Sequence, residues 1–212
     1  MTRPLFLFVH GWAGTPRLWD GVCARMAAAG VDAADIIRIA PALSREAGEG
    51  EEGRPLIGIG HSLGAAWLLA YGPKLSGLIS LNGFTRFSAA PGFPGTHPRV
   101  LAQMRRRLLA DAPAVLAEFH GRAGLALADD PAGAGELAQG LDLLANIDAR
   151  GAFGVFARPH LALAGTDDAI VPPAHAQACF PDPVMVDGVG HALPLVRPDL
   201  CARHILELAA RC

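Results

Sequence analysis

Short unbroken apolar runs alternate with stretches of helical spacing along most of this chain. Leu5–Val9 ends at His10-Gly11. Ile36–Ile39, Leu56–Ile59, Leu78–Leu81, Leu161–Ala164 and Val184–Val186 repeat the pattern. Runs this short with little polar alternation fit strands buried on both faces, as in parallel sheets. Between them, residues 16–29 place Leu18, Val22 and Met26 at helical spacing and stop at Gly30. Ala65–Tyr71 is an apolar helix closed by Gly72-Pro73, and a last helix runs from Asp199 to Ala210. Strands alternating with helices predict an α/β protein: a mostly parallel sheet with helices on both faces.

The rhythm breaks after Gly83. From about Thr85 to Arg150 the pattern holds helices and loops but no strand. The reading is a core of residues 1–84 and 158–212, with a helical lid, residues 85–150, inserted over the C-terminal sheet edge where open α/β folds bind ligands. Arg45 to Gly53, rich in Gly and Glu, reads as a loop.

Composition narrows the function classes. A chain of 212 residues suits one domain and a full core. A net charge of -2 gives no reason to expect nucleic acid as a partner. Cys23, Cys179, Cys201 and Cys212 match neither a zinc spacing nor a redox CxxC pair and read as free thiols. The run Leu5–Val9 is too short for a signal segment or a membrane span. The expectation is a cytoplasmic monomer with no metal, no cofactor and no membrane contact.

Gly60-His61-Ser62-Leu63-Gly64 is a G-x-S-x-G sequence with an apolar strand before it and a helix after it. That setting is a nucleophile elbow: a tight turn lifts the serine hydroxyl above the sheet, at a helix N-terminus whose dipole favours negative charge. A serine needs a base to take its proton. His191, in the loop Gly188-Val189-Gly190-His191-Ala192 between the last strand and the last helix, is the candidate base. His61 is expected to point away from the serine and to pack. The residue that orients His191 belongs on a loop after a strand, and Asp167 and Asp168 compete in Gly165-Thr166-Asp167-Asp168-Ala169-Ile170-Val171-Pro172. Asp168 is assigned the orienting role and Asp167 a capping one. Two backbone N–H groups complete an oxyanion hole. Leu63, after the nucleophile, and Trp12, in the His10-Gly11-Trp12 loop, are assigned to it, and the Trp12 indole also walls the substrate pocket.

In combination, the serine–acid–histidine order, the His-Gly-Trp loop and the Asp-Asp-Ala-Ile-Val-Pro segment resemble the α/β-hydrolase superfamily over nearly the whole chain. The resemblance narrows to the pimeloyl-[acyl-carrier protein] methyl ester esterases of biotin synthesis. Phe8-Val9-His10-Gly11-Trp12, Asn82-Gly83-Phe84-Thr85-Arg86-Phe87, Leu101-Ala102-Gln103-Met104, Gly140-Leu141-Asp142-Leu143-Leu144 and Ile147-Asp148-Ala149-Arg150 carry it. It implies a serine esterase that acts on a small acyl ester borne by acyl-carrier protein, with lid arginines meeting that acidic partner. Here Arg105, Arg106, Arg107 and Arg122 are the candidate contacts. Residues 86–122 hold six arginines against Asp111 and Glu118, a local excess of +4. The alternative for these arginines is a solvated helix face, and three consecutive ones, about 100° apart, cannot all meet one partner. Val100, Met104 and Leu108 are expected to form the buried stripe opposite. Phe119 lines the acyl pocket by resemblance, or packs within the lid.

One departure stands out. Residues 40–55 leave room for little beyond a loop, where the family fits a loop and a helix, so the pocket rim is expected to be thin there. A general carboxylesterase, a thioesterase or a lyase with the same three residues remains an alternative. So does a non-catalytic binding protein, although such proteins tend to lose one of the three and this chain keeps them all.

Overall fold

The computed structural model describes residues 2–41, 53–125 and 132–212. The loop expected at Arg45–Gly53, and the thin rim beside it, fall almost wholly outside the described residues.

All six predicted strands form: β1 (Leu5–Val9), β2 (Ile36–Ile39), β3 (Leu56–His61), β4 (Gly77–Leu81), β5 (His160–Gly165) and β6 (Val184–Val186). They make one parallel sheet in the order β2-β1-β3-β4-β5-β6. Every residue of β1, β3 and β4 is buried, which is why these segments read as continuous apolar runs. Successive side chains point to opposite faces. Phe6, Phe8, Ile57, Ile59, Ile79 and Leu81 therefore enter one core, with Val22 and Met26 of α1 (Asp20–Ala28) and Ile205 and Leu208 of the C-terminal helix (Pro198–Ala209). Leu5, Leu7, Val9, Leu56 and Leu78 enter the other, against Ala66, Trp67 and Leu68 of α2 (Leu63–Tyr71).

That second core continues into the insertion between β4 and β5. It comprises α3 (Pro98–Ala110), α4 (Ala112–Ala123), α5 (Ala134–Asn146) and the short α6 (Arg150–Gly154). Its two ends are tied together. Ala149 N–H donates to the Thr85 carbonyl at 2.7 Å, and Asp148 takes Arg86 at 2.6 Å and Arg150 at 2.7 Å. The Arg150 guanidinium, helped by Arg86, holds the Asp148 carboxyl well below the usual carboxylate range.

Two expectations fail locally. The stretch read as one helix over residues 16–29 is a 3₁₀ turn, Pro16–Trp19, followed by α1, which ends at Ala28. In α3, Val100 is 53% exposed while Leu101 and Leu108 are buried and Met104 is half-buried. The buried stripe thus starts one residue later than expected, at the i, i+3, i+7 positions Leu101, Met104 and Leu108. Among the described residues no helix is long and apolar enough to cross a membrane, and no cluster of side chains is suited to a metal ion. The four cysteines are free.

Candidate active site

The strand order reverses between β1 and β3: the chain leaves β1 toward β2 on one side and returns to β3 on the other. Crevices for ligands open at the C-terminal ends of such a pair. Register brings the two following loops together, with Val9 beside Gly60. Gly11 touches Ser62 so closely that a Cβ there would lie 2.8 Å from the serine Cβ.

Ser62 sits on the predicted elbow. Its backbone has φ 53° and ψ -121°, a conformation that costs a non-glycine residue about 1–3 kcal/mol. Its N–H donates to the Leu81 carbonyl at 3.2 Å, and α2 begins at Leu63. The turn is possible only because its flanks are bare. A Cβ on Gly64 would lie 2.0 Å from the Val9 carbonyl oxygen, and one on Gly60 would lie 2.4 Å from the Ala65 backbone.

Asp168 and His191 meet, and Asp167 does not reach the histidine. His191 Nδ1 donates to Asp168 Oδ2 at 2.8 Å, with both side chains almost wholly buried. Oδ1 of Asp168 accepts the N–H groups of Ile170 and Val171, each at 2.8 Å. Burial pushes the Asp168 carboxyl up. The His191 bond and charge and the two backbone donors outweigh it, and the carboxyl lies below its ordinary value. Asp167 is exposed, and its side chain accepts from the neighbouring Thr166 hydroxyl at 3.2 Å. With Nδ1 donating to the carboxylate, His191 Nε2 is left as a buried lone pair that has no hydrogen-bond partner among the described residues, Ser62 included. Catalytic hydrogen bonds commonly tighten only when substrate is bound.

Two residues that sequence reasoning did not place in the site hold this pair. Asn82, at the end of β4, donates its amide to Asp168 Oδ2 at 2.6 Å and to the Gly190 carbonyl at 2.9 Å. His61 is more than packing: its Nε2 donates to the His191 carbonyl at 2.9 Å. Burial above all, and then the His191 ring, push the His61 imidazole down to about 3, so it is neutral.

The Trp12 and Leu63 N–H groups flank the same crevice. Among the described residues no carbonyl accepts from either in the loop and turn hydrogen bonds. Leu63, Gly11 and Trp12 line a small cavity of about 80 Å³. A larger one, about 380 Å³, lies under the insertion. Its wall includes Trp12, Phe119, Met104, Leu141 and Leu144, and it reaches Ala169 and Ile170, next to Asp168. Ser62 and His191 are in neither wall, and Trp12 lines both cavities. Phe119 does face the larger one, edge-on to Trp12 at 4.7 Å.

The four arginines scatter. Arg105 pairs with Asp142 at 2.8 Å and Arg107 with Glu118 at 2.7 Å. Arg122 donates to the Ala169 carbonyl at 3.2 Å, and Arg106 is exposed. Arg107, Glu118 and Arg122 are also part of the large cavity's wall.

Among solved structures, the chain is similar to an esterase (EaEST) from Exiguobacterium antarcticum, with a TM-score of 0.76 at 15% identity over 99% of this chain and 92% of that one. A thermophilic esterase from Thermogutta terrifontis gives 0.68 at 19% identity, over 97% and 89%. BioG from Haemophilus influenzae gives 0.61 at 14% identity, over 90% of each. At such identities the likeness is one of fold. No curated protein matches the sequence. The family model described as "Alpha/beta hydrolase family" matches residues 6–204, and the chain belongs to that family.

Proposed function

We propose that the protein is a serine esterase that works through an acyl-enzyme. The observation that carries this reading is the buried Asp168–His191 pair with Nε2 unpartnered, together with a serine held on a strained elbow. Ser62 Oγ attacks the ester carbonyl while His191 Nε2 takes its proton. The oxyanion is held by Leu63 and Trp12 N–H groups. His191 then gives the proton to the departing alkoxide, which leaves as an alcohol. Water, deprotonated by the same nitrogen, attacks the acyl-enzyme and releases the acid and Ser62. Asp168 remains ionised throughout, orients Nδ1–H and stabilises the imidazolium.

The substrate we assign is pimeloyl-[acyl-carrier protein] methyl ester, cleaved to methanol and the free acid on its carrier. The lid segments that resemble those esterases support this choice, as does an apolar chamber of about 380 Å³ with arginines at its wall. A second reading, a general carboxylesterase with no carrier, is favoured by one observation: Arg105, Arg107 and Arg122 already have partners within the chain.

A fluorophosphonate probe tests the nucleophile: it labels the folded protein at Ser62 and leaves Ser62→Ala unlabelled. Methanol release from the carrier-bound methyl ester, with the thioester left intact, tests the substrate. Equal rates on the carrier-bound ester and on the same acyl methyl ester without a carrier favour the second reading.

A further inference from the structure

The loop proposed to supply an oxyanion donor is fastened to the insertion at two independent points. The first is the Trp12 side chain. Its indole, 5% exposed, donates Nε1–H to the carbonyl of Leu137 in α5 at 2.8 Å. Its ring stands edge-on to Phe119 of α4. One turn beyond Leu137, Gly140 leaves the indole its place, since a Cβ there would lie 2.6 Å from Trp12 Cδ1. The second is His120 of α4, which is buried and whose Nε2 donates to the Ala13 carbonyl at 2.9 Å. Ala13 is itself held at φ 53°, a left-handed conformation that an alanine does not adopt without support.

The helices that hold the loop also wall the large cavity. Val115 and Phe119 of α4 and Leu141 and Leu144 of α5 line it. Those helices therefore contact both the space beneath the insertion and the loop, at the Trp12 indole and the Ala13 carbonyl. We propose that α4 and α5 set the position of the Trp12 N–H, so that filling the cavity with an acyl chain improves the oxyanion hole as well as binding. The Trp12 indole and His120 are positioning residues in this scheme. The inference rests on the hydrolase reading above.

Its consequence is kinetic. Binding energy from a remote part of a substrate raises kcat when it is realised only in the transition state. In the wild-type protein, kcat therefore rises with acyl length across a p-nitrophenyl ester series until the cavity is full. Trp12→Phe keeps an aromatic ring and removes the donor to Leu137. His120→Ala removes the donor to Ala13. In each, kcat for the cavity-filling ester falls about tenfold, less than the 10²–10³ for a deleted oxyanion donor, and kcat becomes nearly independent of chain length. KM keeps its dependence on chain length. His120→Gln, which can still donate an N–H, restores most of the wild-type kcat. A purely structural role would lower thermal stability without separating kcat from KM.

Folded variants whose kcat rises with chain length as in wild type would overturn the proposal. Should Trp12→Phe fail to fold, the His120→Ala and His120→Gln pair decides alone. Wild-type protein whose Ser62 resists fluorophosphonate would instead remove the hydrolase reading, a failure that the labelling tells apart from the first.

Discussion

Asn82 and Asp168 are joined by a buried 2.6 Å hydrogen bond, and the same Asn82 amide reaches the Gly190 carbonyl next to His191. One side chain thus fixes both the carboxylate and the loop that carries the imidazole. Asn82 also lies at φ 49°, a left-handed position that asparagine tolerates better than most residues. Two substitutions separate these roles. Asn82→Gly keeps the backbone conformation and loses the amide, and kcat/KM for a p-nitrophenyl ester is expected to fall about 10- to 100-fold. Asn82→Ala loses the same bonds and also strains the turn, so chemical denaturation should find it less stable than Asn82→Gly by about 1–2 kcal/mol. Equal activity in Asn82→Gly and wild type would refute the positioning role.

Strand positions and the serine were legible in the sequence because each has a local signature. A buried parallel strand is a run such as Leu56–Ile59, and an elbow is a glycine-flanked serine between strand and helix. Asp167 and Asp168 are close rivals in the sequence, and burial and reach to His191 decide for Asp168. Asn82 and His61 act across the sheet, through neighbours fixed by β-register, and no short window of sequence contains those partners. The Val100 error has a different origin. A helix advances about 100° per residue, so an apolar residue one place off the buried stripe reads as part of it until the packing is known.

The buried His61 makes stability depend on pH with a definite sign. Its folded-state pKa, about 3, lies below its ordinary 6.5. Between these values the unfolded chain binds a proton that the folded one does not. Stability is therefore full above about pH 6.5 and is lost as pH falls toward 3, with a slope of at most about 1.4 kcal/mol per pH unit from this group. Asp168, also lowered, adds the same sign below its ordinary 3.8. His61→Gln keeps an N–H for the His191 carbonyl and cannot titrate. Urea midpoints between pH 4.5 and 7 should fall less steeply for this variant, and identical slopes would rule His61 out as the source.

Close approach at the elbow is a second source of fragility. Gly64→Ala would place a methyl group against the Val9 carbonyl, with backbone on both sides and nothing flexible to yield. The loss should reach at least about 3 kcal/mol, enough to reduce soluble yield. Gly121, exposed in the last turn of α4, has open space where a Cβ would go. Gly121→Ala should be neutral or stabilise by up to about 1 kcal/mol through helix propensity. Guanidinium unfolding of the two variants side by side checks the contrast, and a small loss in Gly64→Ala would show that β1 can shift.

The large cavity makes chain length the last testable quantity. Leu144, on its wall and 6% exposed, belongs to α5, whose carbonyl at Leu137 holds Trp12. Leu144→Trp projects extra volume into the chamber and should exclude the far end of a long acyl group. Burying one methylene is worth about 0.8 kcal/mol. Displacing two would lower kcat/KM for a cavity-filling ester about 15-fold, while an acetyl ester, too short to reach Leu144, keeps its rate. A p-nitrophenyl series from acetate upward measures this as a shift of the optimum toward shorter chains. A uniform drop across the series would mean that the substitution disturbs Trp12 instead, and an unchanged profile would place the acyl chain somewhere other than this chamber.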